Sequence, residues 1–85
     1  MYYVYVIKSE KTSNLYIGYT NDLKARLNQH NMGYSQATKA HIPYKLVYYE
    51  AYKAKPDAIA REQKLKHFKQ GYSRLKERLK FSLAE

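Results

Sequence analysis

The chain has 85 residues and no cysteine, and its 16 lysines and arginines against 7 acidic residues give a formal net charge of +9. This length predicts one domain, residues 1–85, whose small core excludes a deep cavity for a large organic cofactor, and the lack of cysteine excludes disulfides and thiolate metal sites. No apolar run is long enough for a membrane span or a signal peptide, so we expect a cytoplasmic protein. A pI near 9.7 favours a polyanionic partner such as nucleic acid over basicity for solubility alone.

Two strands joined by a polar turn open the chain. Residues 2–8 and 15–20 are rich in β-branched and aromatic residues, which predicts a hairpin. Residues 2–8 are apolar nearly throughout, so this strand should be covered on both faces. Gly18 lies inside the second strand and indicates either a close backbone approach or a bulge.

A helix is predicted at residues 21–31. Thr20 or Asn21 can cap its start, and Gly33 can end it. Residues 32–43 then form a loop that is long for a compact domain, which favours a functional role for that loop.

One strand and two helices complete the predicted elements. Residues 44–52 are predicted as the third strand, and Pro56 opens a helix of about 13 residues because proline is favoured at the first helical position. Gly71 is expected to end that stretch, and Ser73 to cap a last helix that runs to about Leu83. The order β-β-α-β-α-α predicts an α+β fold with helices packed on a small, mainly antiparallel sheet of three strands.

The predicted first helix carries polar residues among its core positions. Leu23, Arg26, Leu27 and His30 share one face, so Arg26 and His30 should lie at the edge of the core. A structural explanation is available, since an arginine can extend along the surface and a histidine can be satisfied by ordinary hydrogen bonds. The alternative is that both belong to a reactive site.

The second helix places one carboxylate on an apolar face. Glu62 shares helical spacing with Ala58 and Leu65, so it lies within the apolar stripe. Burying a carboxylate without a partner costs several kcal/mol, so Glu62 requires a cation or a metal ion. An ion pair would use one of three cations: Arg26, Arg61 or Lys66.

Most of the 11 tyrosines suit a pleated sheet, but Tyr5 and Tyr16 lie on adjacent strands near the predicted first helix. A phenol has a reference pKa of about 10, so it acts as a base near neutral pH only where positive charge favours the phenolate. Arg26, His30 or a bound cation would supply that charge.

An ordered set of residues runs through the two strands and two helices: Tyr3-Val4-Tyr5, Tyr16-Ile17-Gly18, Arg26, His30 and Glu62. Either triplet alone is a weak signal. The whole set, in its strand, strand, helix and helix contexts, resembles the GIY-YIG nuclease family over almost the full chain. The similarity is closest to the small stand-alone bacterial branch, in which the nuclease domain is the whole protein.

The resemblance implies hydrolysis of phosphodiester bonds in DNA, assisted by one divalent metal ion, Mg²⁺ or Mn²⁺, with no organic cofactor. It implies that Glu62 holds the metal and that Arg26 steadies the phosphate. Tyr5 and Tyr16 would lie beside the attacked phosphate, one of them as the general base, and His30 would assist proton transfer. The chemistry is consistent, since arginine suits phosphate and Mg²⁺ binds through one or two carboxylates while keeping several waters.

The chain departs from the family pattern in two places. The first triplet has Val4 where the family name has glycine, and no asparagine follows Asn31, although several family nucleases carry one near the end of the domain. The chain also lacks an added DNA-recognition domain. This predicts cutting directed by the structure of DNA, as at branched or damaged sites in DNA repair, and not by its sequence.

Two rival hypotheses remain at this point. One is a basic nucleic-acid-binding module with weak or no catalysis, and the other is a structural or protein-interaction domain. Lys39, Lys45 and the basic C-terminal helices would contact phosphates in either an enzyme or a binding module. A pure binder has no need for Glu62 on an apolar face, and an interaction domain would leave Arg26, His30 and Glu62 as coincidences.

Overall fold

The computed structural model describes all 85 residues and has the predicted α+β architecture. Its elements are β1 (Tyr2–Ser9), β2 (Leu15–Thr20), α1 (Leu23–Asn31), a 3₁₀ turn (Lys39–His41), β3 (Tyr44–Tyr52), α2 (Lys55–His67), α3 (Lys69–Arg78) and α4 (Lys80–Ala84). The three strands form one antiparallel sheet in the order β2-β1-β3. The predicted fold class is confirmed, and one short helix is added at the C-terminal end.

The central strand β1 is buried on both faces, as its continuous apolar sequence predicts. Val4 and Val6 point to one face and pack against apolar residues of α2 and α3. Tyr5 and Ile7 point to the other face, where α1 covers them. The sheet therefore separates two apolar clusters, and Tyr5 belongs to the one under α1.

The start of α1 differs by one or two residues from the prediction. Its cap is Asp22, whose carboxylate accepts a hydrogen bond from the backbone N–H of Ala25 at 3.1 Å. Thr20 is the last residue of β2, and its hydroxyl accepts from the backbone N–H of Asp22 at 3.1 Å, so it fixes the turn into the helix. The predicted stop is confirmed, because Gly33 has a φ of +80°, the left-handed conformation that favours glycine.

The predicted second helix is confirmed, since α2 has 13 residues and Pro56 lies at its start. The predicted boundary between the last two helices was wrong: α2 ends at His67, where Phe68 turns the chain in an extended conformation, and Gly71 and Ser73 both lie inside α3. The reason is tertiary packing, since an α3 that begins at Lys69 brings Leu75 into the same apolar cluster as the buried residues of α2. Burial of a leucine outweighs the modest cost of glycine inside a helix.

The loop after α1 is fastened at both ends. The side-chain amide of Asn31 donates to the carbonyl of Tyr44 at 3.0 Å and accepts from its backbone N–H at 2.7 Å. The hydroxyl of Ser9 donates to the carbonyl of His41 at 2.5 Å. These bonds hold the loop against the end of the sheet. The middle of the loop, at Thr38, then lies against His30 of α1.

Candidate active site

The register of the hairpin creates a space for the ring of Tyr5. Tyr5 pairs with Gly18 across β1 and β2, and its ring lies directly over the glycine. A Cβ at position 18 would stand 2.8 Å from Cε1 of Tyr5 and nearer still to Cζ and Oη. The close approach predicted at Gly18 is therefore confirmed, while the irregularity in the sheet lies between Val6 and Ile7.

His30 lies at the centre of the site and is fully buried. Its Nε2 is 2.7 Å from Oη of Tyr5, and its Nδ1 is 2.8 Å from Oγ1 of Thr38. His30 and Thr38 are each 0% exposed. The expectation that His30 sits at the edge of the core was wrong, because the loop after α1 folds over it and places Thr38 against its outer nitrogen.

The hydrogens of the Tyr5–His30–Thr38 network outnumber its contacts. The hydroxyl of Thr38 is buried and has no hydrogen-bond partner besides Nδ1 of His30. If Nδ1 carries the proton, Tyr5 donates to Nε2 and the hydroxyl hydrogen of Thr38 has no acceptor; if Nε2 carries it, Thr38 donates to Nδ1 and the hydroxyl hydrogen of Tyr5 has no acceptor. Each neutral tautomer of His30 therefore leaves one hydroxyl hydrogen unpaired.

Arg26 contributes a second donor to the same phenol oxygen. Its Nε donates to Oη of Tyr5 at 3.3 Å, and its terminal nitrogen donates to Oε1 of Gln29 at 3.2 Å. Arg26 also lies on the wall of an open pocket of about 400 Å³, between the start of α1 and Lys55. The guanidinium thus touches Tyr5 and remains accessible to a phosphate from solvent.

The electrostatics keep both reactive groups neutral in the free protein. Burial raises the pKa of Tyr5, the hydrogen bond and charge of Arg26 oppose that rise, and the charge of Glu62 adds to it. Burial, and then the positive charge of Arg26, lower the pKa of His30. At neutral pH the site therefore holds a phenol and an uncharged imidazole, already joined by a hydrogen bond.

Tyr16 and Glu62 approach the site from β2 and α2. The Tyr16 ring meets the edge of the His30 ring at 5.1 Å between centroids. The Nζ of Lys66 lies 5.1 Å above the Tyr16 ring and 3.3 Å from Oε2 of Glu62. Lys66, one of the three cations considered for Glu62, therefore lies between the carboxylate and the Tyr16 ring.

The donor set of the chain limits how a metal ion can bind. No group of three or more His, Cys, Asp and Glu side chains that could hold a metal ion is found in the chain. The Glu62 side chain is 20% exposed and has only the ammonium of Lys66 as its partner. This arrangement fits a divalent ion bound through one carboxylate with water in its other positions.

Two lysines predicted to contact nucleic acid lie on different parts of the molecule. Lys39 begins the 3₁₀ turn, directly after Thr38, and its exposed side chain packs near Gly33. Lys45 lies on β3, and its Nζ donates to the carbonyl of Glu85 beyond the end of α4. The structure brings Lys39 near the His30 network and does not bring Lys45 there, and a role in binding stays a prediction for both.

Sequence reasoning missed one member of the network. Thr38 lies in a polar loop, and nothing in its spacing connects it to His30, so only the unusual length of that loop gave a hint. Gly18 carried a clearer signal, because glycine is unfavourable inside a strand unless something must pass close to it.

The site can now be compared with known proteins. The family model described as the GIY-YIG catalytic domain matches residues 1–79. The chain belongs to the GIY-YIG family. This is a family of nucleases whose members generally use a divalent metal ion.

Relatives of this GIY-YIG protein occur in Staphylococcus and Streptococcus. The UPF0213 protein SH2523 of Staphylococcus haemolyticus is 41% identical over 68 residues, which cover 79% of this chain and 82% of the relative. The UPF0213 protein SAG0778 of Streptococcus agalactiae is 44% identical over 61 residues, which cover 71% of this chain and 68% of the relative. A UPF0213 protein of Staphylococcus aureus strain Mu3 is 41% identical over 68 residues, with the same coverage as the first. No solved structure matches the chain. None of the helices of this chain is long and apolar enough to cross a membrane.

Proposed function

We propose that this GIY-YIG protein is a metal-dependent endonuclease that hydrolyses phosphodiester bonds in DNA, directed by the structure of the DNA and not by its sequence. The observation that carries the proposal is the phenol oxygen of Tyr5, which is hydrogen-bonded to both His30 and Arg26 in a buried network. A domain that only binds DNA has no use for such an arrangement. The cytoplasmic location and a role in DNA repair remain predictions.

Tyr5 is the stronger of the two candidates for the general base. Its oxygen accepts a hydrogen bond from Arg26, and also one from His30 in the tautomer with the proton on Nε2; both favour the phenolate, whereas Tyr16 contacts His30 only through packing of the two rings. In that tautomer the phenol's own hydrogen is not donated to His30 and can leave toward the substrate. His30 would hold the phenolate in place, and Tyr16 would line the site beside it.

Arg26 and Glu62 would both act on the substrate, Arg26 from α1 and Glu62 from α2. Arg26 presents a planar, permanently charged group to the pocket, which suits the oxygens of the scissile phosphate. A divalent ion held by Glu62 would supply positive charge at that phosphate and at the leaving oxygen. Most of the rate enhancement would come from positioning and electrostatics.

The test is the nicking of supercoiled plasmid and branched DNA in the presence of Mg²⁺, Mn²⁺ or EDTA. We expect cutting that depends on the metal and is lost in Glu62→Gln, whereas Glu10→Gln keeps it. Glu10 is a matched control because it is an exposed acid in the β1–β2 turn, and the two substitutions change the charge equally. Equal cutting by the wild type and Glu62→Gln would contradict the assignment of the site.

A nucleic-acid-binding module is the second candidate, and one observation favours it. The ammonium of Lys66 already neutralises Glu62, so the carboxylate has a structural partner without any metal ion. This candidate predicts tight, salt-sensitive binding of DNA with no cutting of any substrate under any metal condition. The plasmid assay, with binding measured in parallel, separates the two.

A further inference from the structure

A second basic site lies on the other flank of α2. An open cleft of about 390 Å³ separates α2 from α3, and no acidic residue lines it. Its polar lining is dominated by four cations: Arg61, Lys64, Arg74 and Arg78. Like charges so close together repel one another, so a cleft of this composition favours an anionic ligand.

The charge of Arg61 is paired with a carboxylate, whereas the charges of the other three cations are not. Arg61 makes a two-point contact with the carboxylate of Glu50, at 2.9 Å from Nε and 3.0 Å from a terminal nitrogen. Glu50 also accepts hydrogen bonds from the hydroxyls of Tyr48 and Tyr52, so this group is held rigidly against β3. Neither salt bridge of the chain includes the other three cations, and their charges face the cleft unpaired.

An exposed aromatic ring stands beside these charges. Phe68 lines the cleft at the turn between α2 and α3 and is 63% exposed. A single exposed aromatic residue is ordinary on a protein surface. An aromatic ring placed among unpaired cations is the combination that binds single-stranded nucleic acid, because phosphates contact the cations and a base stacks on the ring.

The geometry of α2 relates this cleft to the candidate active site. Ala58 and Leu65 form the buried line of the helix, Glu62 lies on one side of that line, and Arg61 and Lys64 lie on the other. Glu62 and the cleft therefore lie on opposite flanks of one helix, which is about 10 Å thick. Tyr5 and His30 lie on the other face of the sheet, under α1.

We propose that this cleft binds a single-stranded segment of the nucleic acid that the candidate active site acts on. Lys64, Arg74 and Arg78 contact its phosphates, and one base stacks on Phe68. A base inside a duplex is not available for stacking on a protein ring, so Phe68 discriminates between unpaired and paired strands. The proposal rests on the proposed function only in naming the cleft's ligand as the substrate, and it implies cutting near a junction of paired and unpaired DNA.

Binding is measured by fluorescence anisotropy with a labelled 12-nucleotide oligothymidine and a 12-base-pair duplex, in EDTA and over a series of salt concentrations. The double variant Arg74→Gln/Arg78→Gln is compared with Lys11→Gln/Lys80→Gln, which removes the same charge from exposed positions outside the cleft. We expect the slope of log K against log salt for the single strand to fall by about 0.7 per lost phosphate contact in the cleft variant. Circular dichroism verifies that both variants fold. An equal change of this slope in the two double variants would contradict the assignment of the cleft as the binding site.

The stacking role is tested with Phe68→Ala and the aromatic control Phe68→Tyr. We expect Phe68→Ala to weaken single-strand binding by roughly 5- to 100-fold and to leave duplex binding nearly unchanged, while Phe68→Tyr retains wild-type binding. An equal loss on both ligands, or no loss on either, would overturn the single-strand assignment. Because these measurements contain no metal ion, they separate the two proposals. If the cleft variants weaken single-strand binding but the wild type does not nick plasmid, only the proposed endonuclease activity is rejected. If the wild type nicks plasmid but the cleft variants bind like the wild type, only the proposed single-strand site in the cleft is rejected.

Discussion

Gly18→Ala should displace the ring of Tyr5 and so disturb both the stability and the activity of the protein. The new Cβ would lie within 3.0 Å of three atoms of that ring, a separation that real Cβ atoms essentially never show. Tyr5 is only 2% exposed, so the ring has no free space to enter. Restoring ordinary van der Waals separation requires its hydroxyl end to move by about 1 Å, which breaks its hydrogen bonds to His30 and Arg26.

The magnitude follows from three contributions. Overpacking a dense core costs about 1–3 kcal/mol, and each of the two lost hydrogen bonds costs about 1 kcal/mol. Replacing a glycine inside a strand by alanine stabilises the folded state by about 0.5–1 kcal/mol, which offsets part of this loss. The free energy of unfolding should therefore fall by about 2–4.5 kcal/mol.

Urea unfolding followed by circular dichroism measures this change, and Gly71→Ala provides the matched control. The nearest atom to a Cβ at position 71 is the carbonyl oxygen of Lys64 at 3.9 Å, an ordinary contact. Gly71 lies inside α3, so alanine there should stabilise the protein by about 0.5–1 kcal/mol. Wild-type stability of Gly18→Ala, together with wild-type nicking of plasmid, would refute the tight packing of Tyr5 on Gly18.

Two further predictions concern the His30 network. Thr38→Val keeps the shape of the side chain but leaves Nδ1 of the buried His30 without its hydrogen-bond partner, so urea unfolding should show a loss of about 1–3 kcal/mol. Thr38→Ser should retain most of the stability, and equal stabilities of the valine and serine variants would contradict the assigned hydrogen bond. Burial and Arg26 lower the pKa of His30, so the folded protein takes up this proton less readily than the unfolded chain. The contribution of His30 to stability should be fully present above the unfolded pKa of about 6.5 and should decline as the pH falls below it toward the lowered folded value. His30→Gln should remove that decline and the exposed-site control His67→Gln should keep it, so identical pH profiles of these two variants would argue against it.

The strands were predictable because their signal is local. β1 is apolar nearly throughout because both of its faces are covered, and its composition carries that information directly. The cap of α1 was harder, since Thr20, Asn21 and Asp22 all favour that position. The choice depends on where β2 ends, and Thr20 is still paired with Tyr3 of β1. That pairing is tertiary, so the residue types alone do not reveal it.

The contacts of the candidate site are likewise of two kinds: local contacts, which residue spacing predicts, and tertiary contacts, which it does not. The pair of Glu62 and Lys66 lies four residues apart on one helix, which is a local geometry that spacing predicts. Arg61 was an equal candidate as the partner of Glu62, yet it reaches Glu50 on β3 because the packing of α2 turns it toward that strand. The contact between Thr38 and His30 depends on the path of a loop, and loop paths are fixed by distant anchors such as Asn31 and Ser9.

The arrangement of charges links binding to activation in the proposed enzyme. Burial raises the pKa of Tyr5, and the negative charge of Glu62 raises it further, so the free protein keeps the phenol protonated. A cation that neutralises Glu62 removes the second of these effects, and the hydrogen bond and charge of Arg26 then favour the phenolate without opposition from that carboxylate. Lys66 is already paired with that carboxylate at 3.3 Å. Because Glu62 contributes less to the pKa of Tyr5 than burial and Arg26 do, a metal ion held there would lower that pKa only slightly, and its main effect would be on the charge of the phosphate.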